Sequence, residues 1–184
     1  MRVISGSLKG RRLIAPAGMA TRPTADRIKE SVFNILAGRI VNQRVLDLFA
    51  GSGALGIEAL SRGAVSAVFV DHAKPALAAI RCNIQKLGLD ERSRVIHWNI
   101  LKNLNCLRPQ QQAFDLVFMD PPYGINAVAP ALAALAFCGA MARHTHIVIE
   151  HSTREPITLR DGSLTLVDQR RFGKTLVSFV DAML

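Results

Sequence analysis

"DLFAGSGALGIEAL", residues 47–60, carries Gly51, Gly53 and Gly56 in the spacing G-x-G-x-x-G. The short apolar run "RVLDLF" (44–49) precedes it. The apolar-rich stretch "ALGIEALSRG" (54–63) follows and is closed by Gly63. Strand, glycine turn and helix in that order build a loop that a ligand can approach closely, because glycine permits tight turns and the helix start leaves N–H groups free. The spacing alone does not choose the ligand.

Outward from this loop the same texture repeats. "SAVFVD" (66–71) predicts a buried strand. A helix follows, with Pro75 near its first turn, Leu77, Ile80, Ile84 and Leu87 at spacings of three and four, and Gly88 as its stop. "SRVIHWNI" (93–100), "FDLVFMD" (114–120) and "THIVIEH" (145–151) read as further strands, with an Ala-rich helix around 127–137 before the last. "LTLVDQRRF", Gly173-Lys174 and "TLVSFVDA" predict a closing hairpin. On the other side, residues 2–14 read as a basic strand or hairpin turning at Lys9-Gly10. "TADRIKESVFNIL" (24–36) reads as a helix, with Thr24 as its cap and Ile28, Val32 and Leu36 on one face. Alternating strands and helices predict an α/β fold with a mostly parallel sheet and an antiparallel C-terminal strand. Ligands of such sheets bind beyond the strand C-termini. Asp47, Asp71 and Asp120 all fall there.

The 184 residues carry a net charge of +9. Residues 1–44 hold nine basic side chains against two acids, so seven of those nine charges precede the glycine loop. That asymmetry points to a polyanionic partner such as nucleic acid. Cys82, Cys106 and Cys138 lack any C-x-x-C spacing, which suits a reducing cytoplasm and small buried apolar roles. His72, His97, His144, His146 and His151 show no metal spacing, and no metal is assigned. No signal core or membrane span is expected. A monomer is the default.

Charge discriminates between candidate ligands of the loop. A pyrophosphate would meet Asp47 four residues before Gly51, whereas S-adenosylmethionine brings a sulfonium and an ammonium. At a few ångströms and an effective dielectric of about 20, such a contact is worth roughly 4 kcal/mol in either sign before desolvation. Asp71, 20 residues past Gly51, suits a ribose diol in either ligand.

"FMDPPY" then ends a strand in Asp120-Pro121-Pro122-Tyr123. Two prolines fix the backbone. Asp120 and a carbonyl near Pro121 can accept the two N–H groups of an amine, and Tyr123 offers a face for base stacking. That set suits an exocyclic nucleobase amine, unstacked from its helix, attacking a sulfonium methyl.

With these residues in view, the chain resembles class I S-adenosylmethionine-dependent methyltransferases of the D-P-P-Y type. More closely it resembles the bacterial 16S ribosomal RNA guanine-N2 methyltransferase family, the small-subunit methyltransferase D type. The resemblance rests on "RVISGSLKGRRL", "TRPTADRIKESVFNIL", "LDLFAGSGALGIEALSRGA", "MDPPY" and "RRFGKT", nearly the whole chain. It implies a Rossmann-like, seven-stranded methyltransferase sheet with a small N-terminal β-hairpin extension. It divides the chain into a basic, RNA-binding part (1–43) and a methyltransferase domain (44–184). It implies that Asp47, Phe49, Gly51, Ser52 and Gly53 hold the donor, Asp71 its ribose, and Asn99 and Ile100 its adenine. Class members often have an aspartate where Asn99 stands. Asp120, Pro121 and Tyr123 become the catalytic set. Lys9, Arg11, Arg12, Arg22, Arg27 and Lys174 become RNA contacts, with Arg22 or Arg27 alternatively holding the methionine carboxylate. The implied partner is 16S rRNA in an assembled or assembling small subunit.

Other classes fit less well. A DNA amino-methyltransferase shares D-P-P-Y but normally needs a target-recognition region for which 184 residues leave no room. Protein glutamine methyltransferases typically begin the tetrapeptide with Asn. Asp47 and D-P-P-Y speak against an NAD-dependent oxidoreductase. Acids retained at every expected position speak against a noncatalytic RNA-binding module.

Overall fold

The computed structural model describes residues 1–18, 23–108, 113–159 and 162–183. Its main elements are α1 (Pro23–Ile35), β1 (Arg44–Leu48), α2 (Ala54–Ser61), β2 (Ser66–Asp71), α3 (Lys74–Leu87), β3 (Ser93–His97), β4 (Phe114–Met119), α4 (Val128–Phe137), β5 (Met141–Ser152), β6 (Leu164–Phe172) and β7 (Thr175–Ala182). The seven strands form one sheet in the order β3-β2-β1-β4-β5-β7-β6. The first five lie parallel, and β7 runs antiparallel between β5 and β6. This is the expected α/β architecture with its antiparallel C-terminal hairpin.

Period-two alternation divides the strand side chains between two apolar layers. Val45, Phe69, Leu116, Phe118 and Val148 face α1, α2 and α3. Leu46, Leu48, Val70, Val117, Met119 and Ile149 face α4. The same alternation continues past the strand ends. Asp47 shares a face with Val45, Asp71 with Phe69, Asp120 with Phe118 and Glu150 with Val148. Four acids therefore gather on the α1–α3 side at the strand C-terminal rim.

The N-terminal hairpin closes as one antiparallel bridge, Arg2 to Arg12. Side chains of α2 and α3, in place of a strand ladder, satisfy much of its backbone. Ile4 and Ser5 donate their N–H groups to Glu58 at 2.8 and 2.9 Å. Leu8 N–H bonds Ser61 Oγ at 2.9 Å. Asn83 accepts from Ile14 N–H at 2.8 Å, and its amide nitrogen donates to the carbonyls of Ile14 and Ser52, both at 2.9 Å. Val3 and Leu13 enter the same apolar layer as α1. Helix α1 begins at Pro23, and the side chain of the expected cap, Thr24, lies outside the described ones. Strand β3 stops at His97, short of the run read to Ile100, and β5 starts earlier than expected, at Met141. The three cysteines are half-buried rather than buried.

Candidate active site

The glycine loop is shaped from both sides. Gly51 and Gly53 take positive φ of 56° and 76°, the left-handed turn that swings the chain from β1 into α2. Gly56 serves close approach: a Cβ there would stand 2.4 Å from Cε1 of Phe69. Its N–H donates to Asp47 Oδ2 at 2.9 Å. Asp47 is only 1% exposed. Its carboxyl thus braces the loop from beneath, with Oδ2 engaged by the Gly56 N–H. Burial, offset in part by Gly56 and reinforced by Asp71, pushes Asp47 up to about 8.

Asp71 closes the loop's other flank. Oδ2 accepts from Gly51 N–H at 2.9 Å and Oδ1 from Ala73 N–H at 2.8 Å. Phe49 has φ of 58° and packs its side chain on the α4 side. Ser52 is buried, its carbonyl held by Asn83. Beyond β3, Asn99 is exposed and accepts from Leu101 N–H at 3.1 Å, which shapes a local turn, while Ile100 is buried.

An open cavity of about 80 Å³ lies between the loop helix and the end of β4. Leu55 of α2, Val32 of α1, Val148 and Val177 give it apolar walls, and Asp120 and Glu150 open into it. Asp120 is exposed to solvent at the cavity mouth. The protein crowded around its carboxyl still holds it above the usual carboxylate range by desolvation, and the charges of Glu150 and Asp47 push it further. Burial also raises Glu150, against a hydrogen bond from Tyr123 that lowers it.

The tetrapeptide is pinned at its far end. Pro121 is buried. The Tyr123 hydroxyl donates to Glu150 Oε1 at 3.0 Å and lies 3.1 Å from Thr175 Oγ1. Its ring remains 43% exposed, so a face stays free for stacking. Glu155 then clamps the following turn through Gly124 N–H at 3.1 Å and Asn126 N–H at 2.7 Å, and these donors hold its carboxyl below its ordinary value.

Around the cavity the basic residues separate into groups. Lys9 and Arg27 line one groove with Arg2, Asp26 and Glu30. Arg11 and Arg12 are exposed on the same arm, Arg11 reaching the Lys86 carbonyl at 3.3 Å. Lys174 is exposed in the β6–β7 turn, one residue before Thr175, and so stands beside Tyr123. Arg22 lies outside the described residues. Among the described residues, no group of three or more His, Cys, Asp or Glu could hold a metal ion, and no helix is long and apolar enough to cross a membrane.

Sequence reasoning missed Glu150, Thr175, Lys29, Glu58 and Asn83. Glu150 was findable, because it ends the apolar run "HIVIE" as Asp71 and Asp120 end theirs.

The family described as conserved hypothetical protein 95 matches residues 1–181. A Haemophilus influenzae protein, ribosomal RNA small subunit methyltransferase D, is 35% identical over 175 residues, covering 94% of this chain and 89% of that protein. A Bacillus subtilis relative, "Putative rRNA methyltransferase YlbH", is 38% identical over 178 residues, 97% of each chain. The solved structure "Putative methyltransferase yhhF from Escherichia coli" superposes with a TM-score of 0.86 at 30% identity, covering 99% of this chain and 97% of that one. Matched almost from end to end in sequence and in fold, the chain belongs to the conserved hypothetical protein 95 family, alongside the ribosomal RNA small subunit methyltransferase D proteins.

Proposed function

We propose that this protein methylates the exocyclic N2 amine of one guanine in the 16S rRNA of the small ribosomal subunit, with S-adenosylmethionine as donor. The observation that carries the reading is the placement of Asp120, at the end of β4, in the same cavity as Ala54 and Leu55, the first residues after the glycine loop. A donor on that loop and an amine at Asp120 would meet there. The names of the relatives, rRNA small subunit methyltransferases, support rRNA as substrate.

The residues fit the donor. Asp47 and Asp120 are held above their ordinary values, so a sulfonium at this rim would offset their charge. When bound, S-adenosylmethionine supplies an electrophilic methyl group. Asp120, with the rigid Pro121 backbone, accepts hydrogen bonds from the amine's protons. This draws the nitrogen lone pair out of conjugation and aims it at the methyl carbon. Asp120 would then receive the proton that the amine gives up once methylated. Tyr123 supports the flipped base. Residues 1–43, with Lys9, Arg11, Arg12, Arg22 and Arg27, hold RNA phosphates, and Lys174 does so from the opposite rim.

The test is labelling with S-adenosylmethionine of small subunits from cells lacking this gene, with free RNA and DNA alongside, followed by nucleoside identification. N2-methylguanosine in 16S rRNA is expected. Label in N6-methyladenine, or in DNA alone, would refute the reading.

A further inference from the structure

Guanine's Watson–Crick edge places the N1–H donor directly beside the N2 amine. Adenine and 2-aminopurine instead place an unprotonated N1, an acceptor, beside their amines. A site that selects guanine therefore needs two acceptors side by side, one for each donor.

The sheet supplies them. In the parallel pairing of β4 with β5, Phe118 is opposite Val148 and Met119 is opposite Ile149. One residue further, Asp120 stands abreast of Glu150, on strands about 4.8 Å apart. Both carboxyls open into one cavity, lined otherwise by apolar side chains and by Asp26 and Lys29 of α1, the Lys29 ammonium being already paired with Glu58 at 3.3 Å. Two carboxylates in such a place repel each other, and adjacent donors relieve that repulsion. Glu150 Oε1 is already engaged by the Tyr123 hydroxyl at 3.0 Å, which orients the carboxyl within the cavity and leaves Oε2 for a ligand.

We propose that Glu150 is the residue that selects guanine, accepting the N1–H of the base whose N2 amine is held by Asp120. The proposal rests on the methyltransferase reading above and adds the residue that sets its base preference. An N1 lone pair facing the same carboxylate is repelled, so adenine and 2-aminopurine are rejected on electrostatic grounds.

The test compares two subunit substrates, one with guanine and one with 2-aminopurine at the methylated position, using wild-type protein and Glu150→Gln. The glutamine amide keeps the size of the side chain and can turn its NH2 toward an acceptor N1. Losing one charge-assisted hydrogen bond of about 1.5–3 kcal/mol predicts roughly a 10- to 100-fold fall in kcat/KM on guanine. The 2-aminopurine rate should hold or rise, so the ratio of the two inverts or collapses. An equal fall of E150Q on both bases would overturn the assignment of Glu150. Wild-type protein that methylates neither substrate would instead overturn the function itself.

Discussion

Lys29 Nζ lies 3.3 Å from Glu58 Oε2 with both side chains closed to solvent, at 4% and 0% exposure. Glu58 also accepts from Ile4 N–H, Ser5 N–H and Arg62 Nε, so one carboxylate joins α1, α2 and the N-terminal arm. Burial lowers the Lys29 value despite this partner. Removing one member of a buried pair costs about 3–5 kcal/mol. Glu58→Ala should sit at the upper end, because it orphans two backbone donors and leaves the buried Lys29 charge with the neutral Arg2 carbonyl, at 2.7 Å, in place of its ion pair. Lys29→Met should sit lower, because Glu58 keeps three donors. Urea denaturation of both variants checks the order; equal or negligible losses would contradict it.

Gly56→Ala forces a methyl against the buried Phe69 ring, which cannot swing aside. Overpacking of this kind costs about 1–3 kcal/mol. The shift also pulls the Gly56 N–H from Asp47, so calorimetry should show weaker donor binding together with a lower Tm.

Asp47 dictates a pH dependence of known sign. Its folded value, about 8, lies above its unfolded one. Its contribution is fully present below the unfolded value and is lost as pH rises through about 8. Asp47→Asn keeps an acceptor for Gly56 and cannot ionise. Thermal melts should therefore show the variant gaining on wild type as pH climbs from 4 to 8. A constant difference would refute the assignment.

Asp120 must be deprotonated to accept strongly from the amine and to take up the proton it releases. Burial, Glu150 and Asp47 raise its value, so the acid limb of the pH–rate profile should lie above the ordinary carboxylate range. Glu150→Gln removes one of the two neighbouring charges and should move that limb to lower pH, whatever it does to the height of the profile. Asp120→Ala should retain donor binding and lose most turnover.

Lys9 and Arg27 share a groove, and each phosphate contact removed should flatten the plot of log affinity against log salt by about one unit. Reversing both charges should weaken RNA binding at low salt far more than at high salt. Donor affinity should stay unchanged.

The parallel sheet was legible because its strands are apolar runs punctuated by glycine and acid, and that pattern is local. Asp71 and Asp120 were legible for the same reason. The arm was harder: "RVISGSLKGRRL" has the composition of a hairpin, and nothing in it shows that Glu58, Ser61 and Asn83, over 50 residues away, will take its backbone hydrogen bonds. The inward turn of Asp47 was hidden likewise, since only the folded loop shows that Gly56 claims its oxygen. Charge told which ligand the rim prefers, and packing decided which acid touches it.

Asn83 grips Ile14 of the arm and Ser52 of the glycine loop with a single amide. Whatever coupling passes through that amide is equal in both directions, because linked binding equilibria are reciprocal. On the roles proposed for loop and arm, any factor by which donor tightened the arm's hold on RNA would equal the factor by which RNA tightened the donor. A single side chain would then make each substrate the effector of the other.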